Sequence, residues 1–223
     1  MLRALIPSVC FNLRHLPFSQ AVKLPIIVCK PRLRDNSGSF IINGPVRFGM
    51  IRLGQFKVDL FPDNGIVIAN RGTIVFNGKT YIGNDSVLTV GKRGKLEFGE
   101  NFTATAGLKL ACHYHVSFLR NVLVGWNTQI IDSSFHALTD VKSGGVIRNG
   151  YGPVKVGHDV WIASGCKLYK NASIPDYCVV GADTSLNKPV DCEPYSLITN
   201  KREMVVKTTG KYRNRDDDRI EFR

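Results

Sequence analysis

The chain has 223 residues, with 30 Lys and Arg against 18 Asp and Glu, for a net charge of +12. That length accommodates one substantial core or a solenoid of several coils, and the charge calls for an anionic partner. No zinc-finger spacing, RNP-type motif or recognition-helix pattern accompanies the charge, which argues against a nucleic-acid module, and no apolar run approaches the roughly 18–20 residues of a membrane span.

In chain order, residues 1–34 contain no Asp or Glu and six basic residues, Arg3, Arg14, Lys23, Lys30, Arg32 and Arg34. Three readings stand: a cap over the first coil, an amphipathic element on anionic lipid, or a basic transit segment. Pro7, Pro17, Pro25 and Pro31 forbid one long helix across it. From about Gly38 to Gly99 apolar residues alternate with glycine-punctuated turns, which predicts irregular β coils.

From Glu100 a six-residue frame sets in. Counting back in sixes from His136 gives Ile130, Val124, Phe118, Cys112 and Ala106, with Ser134, Thr128, Val122, Val116 and Leu110 at the fifth positions. The frame breaks over 137–153 (ALTDVKSGGVIRNGYGP), a glycine-rich loop long enough to form one wall of a site.

It returns at its clearest over 156–191, in six blocks of six: VGHDVW IASGCK LYKNAS IPDYCV VGADTS LNKPVD. Every block begins with an aliphatic residue, and every fifth residue is small or β-branched. With about a quarter of residues aliphatic, the first regularity alone arises by chance on the order of once in a few thousand frames. Period six matches neither a helix nor a lone strand. It is the period of a parallel β-helix, whose three faces make an 18-residue coil. The expected organisation is all-β: an N-terminal cap over 1–37, a β-helix over 38–198 with the protruding loop 137–153, and a C-terminal cap and charged tail over 199–223. The six cysteines show no CxxC spacing, and Cys166 and Cys178 take the small inward position, so reduced thiols and a cytoplasmic setting are expected.

Residues 18 apart stack in such a coil. Ala163 with Gly181 and Ser164 with Ala182 form a strip of small residues with accessible backbone amides. Lys170 and Lys188 form a basic column, and Lys201 and Arg202 follow. This suits a long thin ligand with a phosphorylated end, such as coenzyme A; the plainer reading is turn-shaping residues and solubilising lysines. His136 stands where the regular coils stop. Its imidazole suits proton removal from a hydroxyl, or it is a satisfied turn histidine.

The stretches IIDSSFH (130–136), the WNTQII that overlaps it, VGHDVWIASG (156–165) and VVGADTSLNK (179–188) resemble the hexapeptide-repeat acyltransferases. The resemblance is closest to the branch that O-acetylates capsule, exopolysaccharide or lipopolysaccharide sugars. FNLRHLPFSQAVKLPI (11–26) and GMIRLG (49–54) extend it over most of the chain. It implies a left-handed parallel β-helix, a homotrimer with sites between subunits, and acetyl-CoA as donor, with no metal. His136 matches the family's base, and Asp132 either orients it or is a plain turn aspartate. Trp161, Ala163, Ser164, Gly181, Ala182 and Lys188 match positions lining the cofactor groove.

Three departures stand out. Ser134 replaces the second acidic residue of the family's Asp-x-Asp-x-His pattern. Ala163 replaces a glycine. Thr199–Asn200–Lys201–Arg202 replaces a Gly-Asn-Pro-Ala segment, so Lys201 and Arg202 become candidate phosphate ligands. Counting 18 back puts His115 under Ser133 and His113 under Ile131, as candidates for the acceptor pocket or as turn residues. Trp126 is a pocket or packing aromatic, and His158 is expected to be exposed. The expectation is a cytoplasmic trimer acetylating a sugar hydroxyl, with peripheral membrane contact through the basic N-terminus as a further option. N-acetylation of a nucleotide-linked amino sugar and a non-enzymatic scaffold remain the alternatives.

Overall fold

A computed structural model of the chain describes residues 2–56, 58–136, 138–140, 146–148 and 150–200. Three parallel sheets of eight, seven and six strands wrap one apolar core as a triangular prism. The first face begins at Ile26–Val28 and ends at Leu197–Ile198. The second runs from Pro31–Leu33 to Ser185–Leu186, and the third from Ser39–Ile42 to Ser173–Ile174. Each coil contributes one strand to each face in turn, so the chain is a parallel β-helix.

The six-residue period is the period of burial. Val156, Ile162, Leu168, Ile174 and Val180 are at most 3% exposed, and the fifth-position residues Val160, Cys166, Ala172, Cys178 and Thr184 at most 1%. The fourth position of the block has a different duty. Asp159, Gly165, Asn171, Tyr177 and Asp183 all have φ between 54° and 72°. Each corner therefore turns through a left-handed residue, a conformation that Gly, Asn and Asp adopt most readily. At Gly165 a Cβ would also lie 2.2 Å from Asp183 Oδ1 in the coil above. Inside the prism, Phe76, Phe98 and Phe118 stack on successive coils with ring centroids 5.5 and 5.7 Å apart.

Coil length changes along the prism. Trp161 pairs with Val179 and Lys167 with Ser185, an offset of 18, but Lys109 pairs with Gln129, an offset of 20, and Thr73 with Lys95, an offset of 22. The longer turns explain the imperfect frame before Gly99. They also overturn two stacking expectations. With Ala111 paired to Ile131, His113 no longer lies under Ile131. His115 is not under Ser133 either; it belongs to the third-face strand His115–Phe118.

Strands begin at Ile26, inside the segment expected as a cap. The cap proper is helix α1 (Leu2–His15), which passes Pro7, followed by α2 (Phe18–Ala21). Pro7 lies in the second turn of α1, so the helix loses a single main-chain bond there. The first strand, Ile26–Val28, has an open edge. Asn12 satisfies it by accepting from Ile26 N–H (3.1 Å) and donating to Ile26 O (2.7 Å), and Ser8 Oγ accepts from Val28 N–H (3.0 Å). Those bonds end the sheet without leaving a template for another strand. Of the expected C-terminal cap and charged tail, residues 201–223 lie outside the described residues.

Candidate active site

The loop interrupting the repeat leaves the corner between the second and third faces and returns to it. Its base is closed by main-chain and hydroxyl bonds. Ser134 N–H donates to Gly150 O (2.7 Å) and Gly152 N–H to Asp132 O (3.0 Å). Ser133 Oγ accepts from Phe135 N–H at 2.9 Å. Leu138–Thr139 and Val146–Arg148 pair antiparallel beyond this base. Because the two ends of the loop are held together, the parallel ladder continues past it, with Val116 paired directly to Val154.

His136 sits at this base and is exposed, which corrects the inward position that the six-residue count assigned to it. The inward frame ends at Ile130, and the turn after Asp132 carries Phe135 in a left-handed conformation, φ 60°. Ser134 Oγ reaches the carbonyls of His136 (2.9 Å) and Gly150 (3.1 Å) and accepts from Lys170 Nζ (2.9 Å). A cation thus stands two residues from the histidine, at the position where the acyltransferase pattern has an acid. The Phe135 ring meets His113 edge-on at 4.9 Å, and Tyr114 and Tyr151 lie 5.0 Å apart at the foot of the loop. His113, Tyr114, Phe135, Tyr151 and Lys170 therefore share the His136 corner. Tyr114 takes an outward position of the repeat and Tyr151 lies in the inserted loop, so no periodic signal marked either.

Asp132 is fully buried, and its two carboxylate oxygens accept the N–H groups of His113 (2.7 Å) and Tyr114 (2.8 Å) in the coil below. Those bonds turn the carboxylate down the prism. It fastens the loop's first residue to the preceding corner. His115 is drawn away by Glu97, whose Oε1 lies 2.8 Å from its Nε2. His158, expected to be exposed, is partly buried, with Nδ1 accepting from Arg120 N–H at 3.3 Å.

The small-residue strip occupies the next corner, between the first and second faces. Gly125, Ala163 and Gly181 follow one another up this edge, and a Cβ at Gly125 would come within 2.6 Å of Ser164 N. The amides of Ala163 and Gly181 are not accessible, because they donate to Val180 O and Ile198 O at 2.9 and 2.8 Å. The stacked N–H groups of Ser164 and Ala182 make no hydrogen bond among the described residues. Trp126 belongs to this corner, its carbonyl accepting from Gly165 N–H (2.9 Å), and so is not brought to His136. Trp161 stands half-exposed on the adjoining first face.

Lys170 and Lys188 follow the second-face strands Lys167–Tyr169 and Ser185–Leu186. They therefore lie on the His136 corner, across the second face from the small residues, and the single groove ending in stacked lysines is not formed within one chain. Lys201 and Arg202 lie outside the described residues. Among the described residues no group of three His, Cys, Asp or Glu is gathered to hold a metal ion. Among the described residues the six cysteines form no disulfide, and burial raises the pKa of Cys112 far above the ordinary thiol range, followed by the Asp132 carboxylate nearby.

The class these features define is a three-sided parallel β-helix with an exposed histidine at the root of an inserted loop and unbonded amides stacked on the next corner. No known protein family and no curated protein matches the chain. Several solved chains are similar to it, among them two acetyltransferases. The polysialic-acid-specific acetyltransferase NeuO is 14% identical, with a TM-score of 0.46 over 86% of this chain and 92% of that one. The polysialic acid O-acetyltransferase OatWY is 18% identical, with a TM-score of 0.42 over 80% of this chain and 74% of that one. At these values neither likeness assigns chemistry to a residue.

Proposed function

We propose that the protein is an acyl-CoA-dependent O-acetyltransferase that works in the cytoplasm as a homotrimer on a saccharide hydroxyl in surface-polysaccharide synthesis. The observation that carries the reading is the exposed His136 at a loop base held by Ser134, Gly150 and Lys170. The stacked, unbonded N–H groups of Ser164 and Ala182 suit the amide carbonyls of an extended thioester donor, and the small side chains beside them leave its path open. Lys188, exposed on the His136 corner, suits a phosphate. Because the histidine and the amides occupy different corners of one chain, a complete site requires the small-residue corner of one copy to face the His136 corner of another.

His136 takes the proton of the acceptor hydroxyl as the oxygen attacks the thioester carbonyl carbon. The C–S bond breaks, and the imidazolium returns the proton to the leaving thiolate. A main-chain N–H stabilises the oxyanion that forms between these steps. Tyr114, Tyr151 and Phe135 supply aromatic faces for a sugar ring at the foot of the loop. Replacing His136 with Ala is expected to lower thiol release from acetyl-CoA by about 10²–10⁴-fold, with the trimer intact by sedimentation velocity. Turnover equal to wild type in that variant would overturn the mechanism. Mass shifts across a panel of acceptor sugars separate hydroxyl from amine transfer.

A further inference from the structure

Helix α1 buries one face and leaves an apolar stripe exposed on the other. Ser8, Phe11, Asn12 and His15, at spacings of three and four, form the face against the first coil. Ser8 and Asn12 are fully buried there by their bonds to the strand edge. The opposite stripe carries Leu5, Val9 and Leu13 with Ile6 beside them, and Leu5, Ile6 and Leu13 are 46, 76 and 53% exposed. Just beyond the helix, Phe18 and Val22 are 74 and 55% exposed. Scattered exposed apolar side chains are ordinary, but a continuous stripe of them marks an interaction surface. A cleft of about 520 Å³ lies beside α1, walled by Leu5, Ile27, Phe48 and Phe56 together with Arg52 and the Lys30–Asp63 pair.

The charge selects the occupant. Residues 1–34 hold six Lys and Arg and no acid, and Arg14, Lys23, Arg32 and Arg34 are exposed, while Lys30, also exposed, is paired with Asp63. A second copy seated on this face would bring like charges together, whereas an anionic bilayer matches both the apolar stripe and the cations. The 14 residues of α1 span about 21 Å, short of the ~30 Å hydrocarbon core, so the helix lies along a bilayer. Among the described residues no helix is long and apolar enough to cross one.

We infer that α1 is an interfacial anchor that docks the protein on an anionic lipid surface, with Leu5, Ile6 and Leu13 among the acyl chains and the flanking basic residues at the phosphates. The inference is independent of the acetyltransferase reading.

The test is cosedimentation of the full chain with vesicles. Binding is expected to equimolar phosphatidylcholine and phosphatidylglycerol, not to phosphatidylcholine alone, and to fall as salt rises. The triple variant Leu5→Gln, Ile6→Gln, Leu13→Gln is expected to bind at least about tenfold more weakly. Arg14→Gln and Lys23→Gln should each cost about fivefold. Ile6→Gln alone, at the most exposed position, should melt like wild type and still bind about threefold more weakly, which keeps the test decisive if the triple variant folds poorly. Absence of binding to the anionic vesicles at low salt, or equal binding by the Ile6 variant, would overturn the inference. So would dissociation of the oligomer by the triple variant without an effect on vesicle binding, which would assign the face to a second copy.

Discussion

Replacing Asp132 with alanine tests how the loop is held. The side chain is fully buried, and its oxygens accept His113 N–H at 2.7 Å and Tyr114 N–H at 2.8 Å. Alanine leaves both donors, at a partly buried corner, without their acceptor. An orphaned donor costs about 1–3 kcal/mol, so the pair costs about 2–6 kcal/mol, toward the lower end because water reaches this corner. In a chain of this size each kcal/mol moves the melting midpoint by about 2–4 °C, which gives a fall of roughly 5–20 °C. Asn keeps one acceptor oxygen and turns its NH₂ toward the other N–H, so Asp132→Asn should lose about half as much. Circular dichroism on heating measures both. The acetylation rate of folded Asp132→Asn, followed against pH, separates anchoring from chemistry: anchoring leaves the profile where it was. An Ala variant that melts like wild type would refute the anchoring role. An Asn variant of full stability with a displaced pH profile would mean that the carboxylate acts on the His136 imidazole directly.

Two further substitutions probe the prism. Phe98 stacks between Phe76 and Phe118 and is fully buried, so Phe98→Ala should cost about 3–5 kcal/mol and lower the urea midpoint; a shift below about 1 kcal/mol would mean that the coils close over the gap. Glu97 lies between Lys95 and His115. Partial burial acts to raise its pKa, but the hydrogen bonds and charges of Lys95 and His115 outweigh burial and hold it below its ordinary 4.5. A depressed carboxylate stabilises the fold above its unfolded pKa and loses that contribution as pH falls through the folded value. The melting difference between wild type and Glu97→Gln, small at neutral pH because the pair is partly exposed, should vanish on acidification below 4.5. A difference independent of pH would refute the ion pair's role.

The repeat alone determined which side chains form the core. A residue every six positions must turn inward on a three-faced coil, so Val156 through Val180 and the small Val160, Cys166, Ala172 and Cys178 were legible without coordinates. The same logic failed wherever coil length mattered. Inward or outward is a local property, repeated every six residues. The neighbours a turn residue meets depend on the length of the coil that separates them. The 20-residue coil between Ala111 and Ile131 moved His113 and His115 off their expected stacks. Turn placement likewise set Lys170 and Lys188 on the His136 corner, apart from the small residues.

Asp132 shows the other limit. Its spacing from His136 suggested a partner for the imidazole, but a buried carboxylate goes to the nearest unsatisfied donors, and those were two main-chain amides of the preceding corner. The basic character of residues 1–34 was likewise plain from composition. Only the strand edge, which required Ser8 and Asn12 for its own hydrogen bonds, decided that Leu5, Ile6 and Leu13 would face outward.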